Sequence, residues 1–360
     1  MTRTPIVLLS LVLTFGTIAA SAAPRRRAVA HPLVSPQCAM ITGTPAITFT
    51  RDFGATLTPI AEKLSGTAYT YGLTPTDEPN TFMAFHKNQL LTSTDAGCSW
   101  RLVTEINGAD FPPTLTAAKG GRVYIWSDNR EFLARYDSHG AVTLKPPAAF
   151  IGFAADKTNG DRIRGGGNDG TIWESTDAGA TWSMLGRLGG NPLYYRFAFD
   201  PNDLDHIVAG KASESAFVSR DGGRTWSASS GFKSANVFSL VVSPADSNYV
   251  WAEGLETANS DRHIFLSTDG GTSYRAVIDG SASVQLINGN LLAAHPTNRN
   301  VLFFVFGSFF QGYGTDLFRY DAAANMLNVT HNDYHDIDAI AFSPTEPNLI
   351  YLGLENVAVQ

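Results

Sequence analysis

Five carboxylates of this 360-residue chain stand in loop positions from which acid–base chemistry could be done: Asp110, Glu253, Glu256, Asp333 and Asp336. Glycoside hydrolysis needs two such groups facing each other across a cleft, about 5–9 Å apart. No spacing here selects a pair. The run 331–336 holds His331, Asp333, His335 and Asp336, ligand types that one ion could gather only if the loop folded back on itself. Solvated loop residues are the commoner outcome of such a run, so neither a metal nor a cofactor is expected. Gly165-Gly166-Gly167 lacks the lysine of a phosphate-binding loop and reads as turn chemistry. Cys38 and Cys98 show no CxxC pattern and no histidine at ligand spacing. In an oxidising compartment they can pair and tie the N-terminal tail to the first full repeat, or they can stand as two separate thiols; pairing is favoured.

The elements that would position these groups announce themselves by repetition. Four segments share the pattern Ser-x-Asp-x-Gly-x-x-aromatic, centred on Asp95, Asp177, Asp221 and Asp269 and closed by Trp100, Trp182, Trp226 and Tyr274. A fifth copy surrounds Asp52, and two degenerate copies keep little beyond Asp137 and Asp321. Successive aspartates at 52, 95, 137, 177, 221, 269 and 321 lie 40–52 residues apart, a period that suits one four-stranded propeller blade. Between the boxes a second ladder pairs an apolar run ending at Pro201, Pro244, Pro296 or Pro344 with another apolar run a few residues later, each pair reading as a hairpin.

The physical reading of the box is a tight turn between the two outer strands of a blade. An aspartate accepts backbone N–H groups across such a turn. The glycine takes a positive φ, and the aromatic buries its ring in the blade. All seven aspartates are therefore expected to be scaffold. The proline ladder demands a box just beyond the last residue, Gln360, whereas the box at Asp52 has no hairpin of its own. The last blade is accordingly expected to be composite, with inner strands from about 337–353 and outer strands from about 46–60, which removes two open sheet edges. Val357-Ala358-Val359 competes for the third-strand position. Seven blades are expected, with six and eight as alternatives.

Composition agrees with an all-β chain: Gly 33, Pro 18, Phe 22, Tyr 12 and Trp 6, with 44% hydrophobic and 16% charged residues. A net charge of −7 argues against a nucleic-acid partner. Residues 1–22 read as a signal peptide, with Arg3, an apolar stretch from Pro5 to Ala20 and the cleavage site Ala20-Ser21-Ala22. Arg25-Arg26-Arg27 follows that stretch and opposes easy translocation. Residues 23–40 are then a tail and 41–360 the propeller. A secreted or periplasmic monomer with no membrane segment after cleavage is expected.

The motifs resemble the Asp-box, or BNR-repeat, β-propellers, a superfamily that includes sialidases, xyloglucan-type endoglucanases, sortilin-type receptors and a photosystem II assembly factor. The resemblance covers about residues 41–360 and implies the fold, which hosts enzymes and binders alike. A sialidase needs an arginine triad, a Tyr–Glu pair and an F/Y-R-I-P motif; Tyr195-Arg196-Phe197-Ala198 is the nearest stretch and lacks the Ile-Pro. The resemblance also implies that a ligand face lies opposite the boxes. Its candidate residues are Asp110, Phe111, Tyr194, Tyr195, Arg196, Phe310, Tyr313, Asp333, Tyr334 and Asp336. A non-enzymatic binding or assembly scaffold for a protein or carbohydrate partner is the expected function. A glycoside hydrolase using loop carboxylates is the alternative, and no catalytic residue is assigned.

Overall fold

A computed structural model describes residues 35–43, 46–62, 68–108, 113–190, 193–232 and 235–356. Among them are twenty-seven strands and one three-residue 3-10 turn, Phe310–Gly312. Five separate four-stranded antiparallel sheets form blades 2 to 6, spanning 113–144, 150–187, 195–228, 235–279 and 292–332. The remaining seven strands form one continuous sheet that divides into two blades. Blade 1 comprises Ala68–Pro75, Phe82–His86, Gln89–Ser93 and Arg101–Glu105; blade 7 takes Asp336–Phe342 and Ile350–Asn356 from the end of the chain and Ile47–Thr50 from its beginning.

That junction closes a seven-bladed ring. Ile47–Thr50 pairs antiparallel with the strand after Pro344, with Thr48 opposite Leu352. The segment around Thr58 supplies the outermost edge, its N–H donating to Phe49 O (3.0 Å) and its carbonyl accepting the Thr48 hydroxyl (2.8 Å). A second link joins blades 7 and 1 where Ala68 and Tyr69 pair with Asn356 and Glu355. The competing 357–359 segment lies outside the described residues, as do the signal peptide and the tail up to residue 34.

The burial pattern follows from radial packing. Second strands such as Phe82–His86 and Ile207–Lys211 are buried at every position because a neighbouring blade covers each face. Fourth strands such as Arg101–Glu105 and Ser183–Arg187 carry mostly exposed or half-buried residues. Seven apolar clusters fill the seams; one sets Trp251 and Ile264 of blade 5 against Leu302 and Phe304 of blade 6. Gly165-Gly166-Gly167 is corrected here. The triplet lies in the buried strand Ile163–Gly167, not in a turn. A Cβ on Gly165 would stand 2.3 Å from the Phe150 ring and one on Gly166 2.4 Å from the Phe197 ring, so bare backbone makes room for both aromatics.

Five outer turns share one hydrogen-bond scheme. At Asp95, the Ser93 hydroxyl donates to Oδ1 (2.8 Å) and accepts the Gly97 N–H (2.8 Å), while Ser99 donates its N–H to Oδ1 (2.9 Å) and its hydroxyl to Oδ2 (2.6 Å). The same set recurs at Asp177, Asp221 and Asp269, and with Thr50 in the serine position at Asp52. Two consecutive residues turn left-handed, Ala96 at φ 59° and Gly97 at φ 89°. This explains why two of the boxes carry Gly-Gly at 222–223 and 270–271.

Asp137 and Asp321 differ. Each has arginine where the serine would be, and the carboxylate takes turn N–H groups from His139 (2.9 Å) or Ala323 (3.0 Å) alongside Arg135 (3.1 Å) or Arg319 (3.8 Å). Replacing Asp95 by alanine is expected to lower unfolding free energy by about 1 kcal/mol, because charge-assisted bonds at an exposed site are partly replaced by water. Urea denaturation checks this; an unchanged midpoint would deny the turn any energetic role.

Cys38 and Cys98 are joined by a disulfide with Cα atoms 5.7 Å apart. Beyond Cys38 the chain lies across the seam of blades 7 and 1, Ile41 accepting from Ala61 (2.8 Å) and Thr42 from Trp100 (2.9 Å). The tail is thereby clasped to both ends of the ring.

Candidate functional site

Strand alternation sets the two faces of the ring. The first-to-second and third-to-fourth turns share one face, and the second-to-third turns and blade connectors share the other. The boxes occupy the first face. Residues 193–196, 309–313 and 331–336 therefore lie on the second, as do the described residues 106–108 and 229–232 of the connectors that follow blades 1 and 4. Along the axis runs an apolar cavity of about 560 Å³, lined by the innermost strands of blades 2 to 7 through residues such as Ile151, Phe197, Val241 and Phe342.

Not every candidate residue reaches this face. Asp110 and Phe111 lie outside the described residues. Tyr195 is corrected: it is buried at 4% exposure in the seam of blades 3 and 4, stacked on Phe197 with its hydroxyl on Gly190 O (3.1 Å). Strand parity decides this, since Tyr194 and Arg196 project to the opposite side. The Tyr194 ring lies on Phe238 (5.5 Å), with the Arg196 guanidinium over it and held on Phe238 O (3.1 Å). The Tyr194 hydroxyl has no hydrogen-bond partner among the described residues, and burial pushes its pKa up.

Glu253 is also corrected. It is not a loop carboxylate but a fully buried member of the strand Val250–Glu256. Its Oε2 accepts the Gly289 N–H (3.1 Å), and burial pushes its pKa up to about 7. Nearby Asn290 donates to Val305 O (2.7 Å) and accepts the Ser239 hydroxyl on its carbonyl (2.8 Å). Together these contacts pin the irregular connector 280–291. Glu256 is half-buried at the end of the same strand.

The four residues of the 331–336 run do not converge. His331 turns to Asp316 (2.8 Å) and meets the edge of Tyr313, Asp333 is exposed, and His335 is buried. Asp336 instead meets Asp338 and Glu355, one oxygen from each lying within 4.8 Å of the others. Asp338 and Glu355 were not legible as site residues, because a bulge brings them together. Asp338 is the unpaired residue where the register slips between Ile337 and Ala339. The innermost strands of blades 1, 3 and 5 slip at Tyr71, Ile151 and Phe238, so blade 7 alone among these puts a carboxyl at that place. Burial, reinforced by the charges of Glu355 and Asp336, pushes Asp338 up to about 9, and burial lifts Asp336 to about 6. With its pKa near 9, Asp338 is protonated at neutral pH and stands beside the Glu355 carboxyl. The trio can act chemically as an acid paired with a carboxylate, or as a seat for a cationic group.

On the same face, beside this trio, stands an aromatic ledge. Phe309, Phe310 and Tyr313 are 70%, 66% and 40% exposed on the turn between Val301–Ser308 and Gly314–Asp321. The Tyr313 hydroxyl donates to Asp316 Oδ2 (2.6 Å). Tyr334 is half-buried, its carbonyl accepting the Thr315 hydroxyl (2.7 Å).

A closed ring of seven four-stranded blades with aspartate-bearing outer turns defines an Asp-box-like β-propeller of the BNR class. The Sortilin-Vps10 family model (sortilin, neurotensin receptor 3) matches residues 170–303. The chain is 44% identical over 340 residues to the dispase autolysis-inducing protein of Streptomyces mobaraensis, covering 90% of each chain, and it belongs to that protein's family. Among solved structures it resembles YCF48 from Cyanidioschyzon merolae, with TM-score 0.57, 10% identity, 81% of this chain and 96% of that one. A YCF48 bound to D1 peptide gives TM-score 0.55 at 14% identity, over 82% and 95%. An ancestral GH74 enzyme gives 0.51 at 14% identity, over 75% of this chain and 39% of the enzyme. At these identities the structural likenesses speak to fold alone.

Proposed function

We propose that this chain is an exported, non-enzymatic binding propeller that engages a proteolytic enzyme through the loop face and promotes the enzyme's self-cleavage. The observation that carries this reading is the 44% identity, over 90% of both chains, to a protein whose name states that it induces autolysis of dispase. A YCF48 propeller of like fold binds a D1 peptide, so the fold can carry a protein partner. The Cys38–Cys98 bridge suits an oxidising compartment, and no helix among the described residues is long and apolar enough to cross a membrane.

The test is to incubate dispase with the purified chain and follow residual protease activity and fragments on a gel. The expected result is a half-life shortened about tenfold or more relative to dispase alone or with heat-unfolded chain, since capture of an autolysis-prone state multiplies its population. An unchanged half-life would refute the reading.

A further inference from the structure

Large exposed apolar side chains are distributed unevenly over this ring. Leu102, Val142, Met184, Met326 and Val329 are scattered over fourth strands on the outer wall. Leu193, Ile287, Phe309, Phe310 and Tyr313 all lie on the loop face, and three of them belong to one turn. That turn is held open by construction. Phe310 N–H donates to Ser308 Oγ (3.1 Å), Gly312 N–H to Phe309 O (3.1 Å), and Gln311 sits at φ 54°, in the left-handed region that a side chain disfavours. Under it lies a groove of about 270 Å³ bounded by Gln285, Phe306 and Tyr313. The ledge is continuous with the carboxylates of blade 7, because Gly307, on the strand leading into the turn, abuts Asp336: a Cβ there would stand 2.5 Å from Asp336 Oδ1.

We infer that the Phe309–Phe310–Tyr313 ledge and the adjoining Asp336 and Glu355 form one docking surface for an extended peptide segment of the partner, an apolar side chain lying on the rings and a lysine or arginine on the carboxylates. This rests on the proposed function and names the part of the loop face that performs it. Apolar rings rimmed by unlike chemistry mark interaction sites. With Asp338 protonated, the carboxylates of Asp336 and Glu355 still lie within 4.8 Å of each other, and a cation placed between them offsets their repulsion. A neutral sugar could stack on the rings but would leave that repulsion in place. A basic peptide satisfies both halves, and the chain's net charge of −7 steers it in.

Fluorescence anisotropy with a labelled peptide of sequence Gly-Phe-Leu-Gly-Lys-Lys tests the surface. Wild-type protein is expected to bind it, and to ignore the same peptide with glutamate for lysine. Phe309→Ser with Phe310→Ser, both exposed and so compatible with folding, should weaken binding about tenfold; Asp336→Asn should weaken it about fivefold and steepen no salt dependence. Absence of binding, equal binding by the ledge variant, or displacement of the peptide by cellohexaose would overturn the inference. The two readings fail separately. If the ledge variant still shortens the life of dispase as wild type does, the surface is wrong and the function stands; if wild type binds the peptide but spares dispase, the function is wrong and the surface stands.

Discussion

Conversion of both Cys38 and Cys98 to alanine is expected to lower the unfolding free energy by about 4 kcal/mol, with a fall in Tm of roughly 6 °C. The bridge spans a sequence separation of 60 and removes that loop's freedom from the unfolded chain. Its position makes the loss specific. The segment it anchors hydrogen-bonds to Pro59 (2.8 Å) beside blade 7 and to Trp100 (2.9 Å) of blade 1, so freeing it loosens the seam where the two ends of the ring meet. Calorimetry with and without dithiothreitol measures the effect on one protein. A shift below about 1 °C would mean that the ring holds its closure without the clasp.

The second large effect concerns proton balance. Asp338, pushed to about 9, stabilises the fold while protonated; its contribution is full below the unfolded carboxyl pKa and is lost as pH rises through 9. Asp336, at about 6, and Glu253, at about 7, act in the same direction over lower windows. Two boxes act oppositely. Hydrogen bonds from Thr181 and Thr225 hold Asp177 and Asp221 at about 2, and their contribution is lost as pH falls toward that value. From these groups stability is thus expected to be greatest near pH 4 and to decline steadily toward pH 9. Asp338→Asn keeps a donor toward Glu355 and cannot ionise. It should raise Tm by about 2–5 °C at pH 8, on the order of 1–3 kcal/mol, with the gain shrinking steadily toward pH 4. A variant that melts with the same pH slope as wild type would contradict the proton on Asp338.

What could be read from the chain alone was what short-range chemistry encodes. A box is complete within eight residues, so Ser93 to Trp100 spells its own turn, and even the stray copy at Asp52 could be assigned to the strand after Pro344. The loop face was legible only through the resemblance to Asp-box propellers, not from any local pattern in the chain. Contacts settled by long-range packing were not. Tyr195 and Arg196 are neighbours in sequence, and only the seam with blade 3 decides which of them is buried. Asp338 looked like one more polar residue in an alternating strand, and no local pattern signals the bulge that sets it against Glu355. Glu253 reads as a loop residue in sequence, yet its strand runs from Val250 to Glu256 and buries it.

The pairing of Thr48 with Leu352 also dictates an order of events on the ribosome. The strand holding Thr48 emerges early, yet its hydrogen-bonding partner is translated roughly 300 residues later. Until then that strand has an empty edge and must stay single while the intervening blades are made. The circle therefore cannot lock during elongation. Its closure is a union of two segments roughly 300 residues apart, and it waits until the intervening blades have been made.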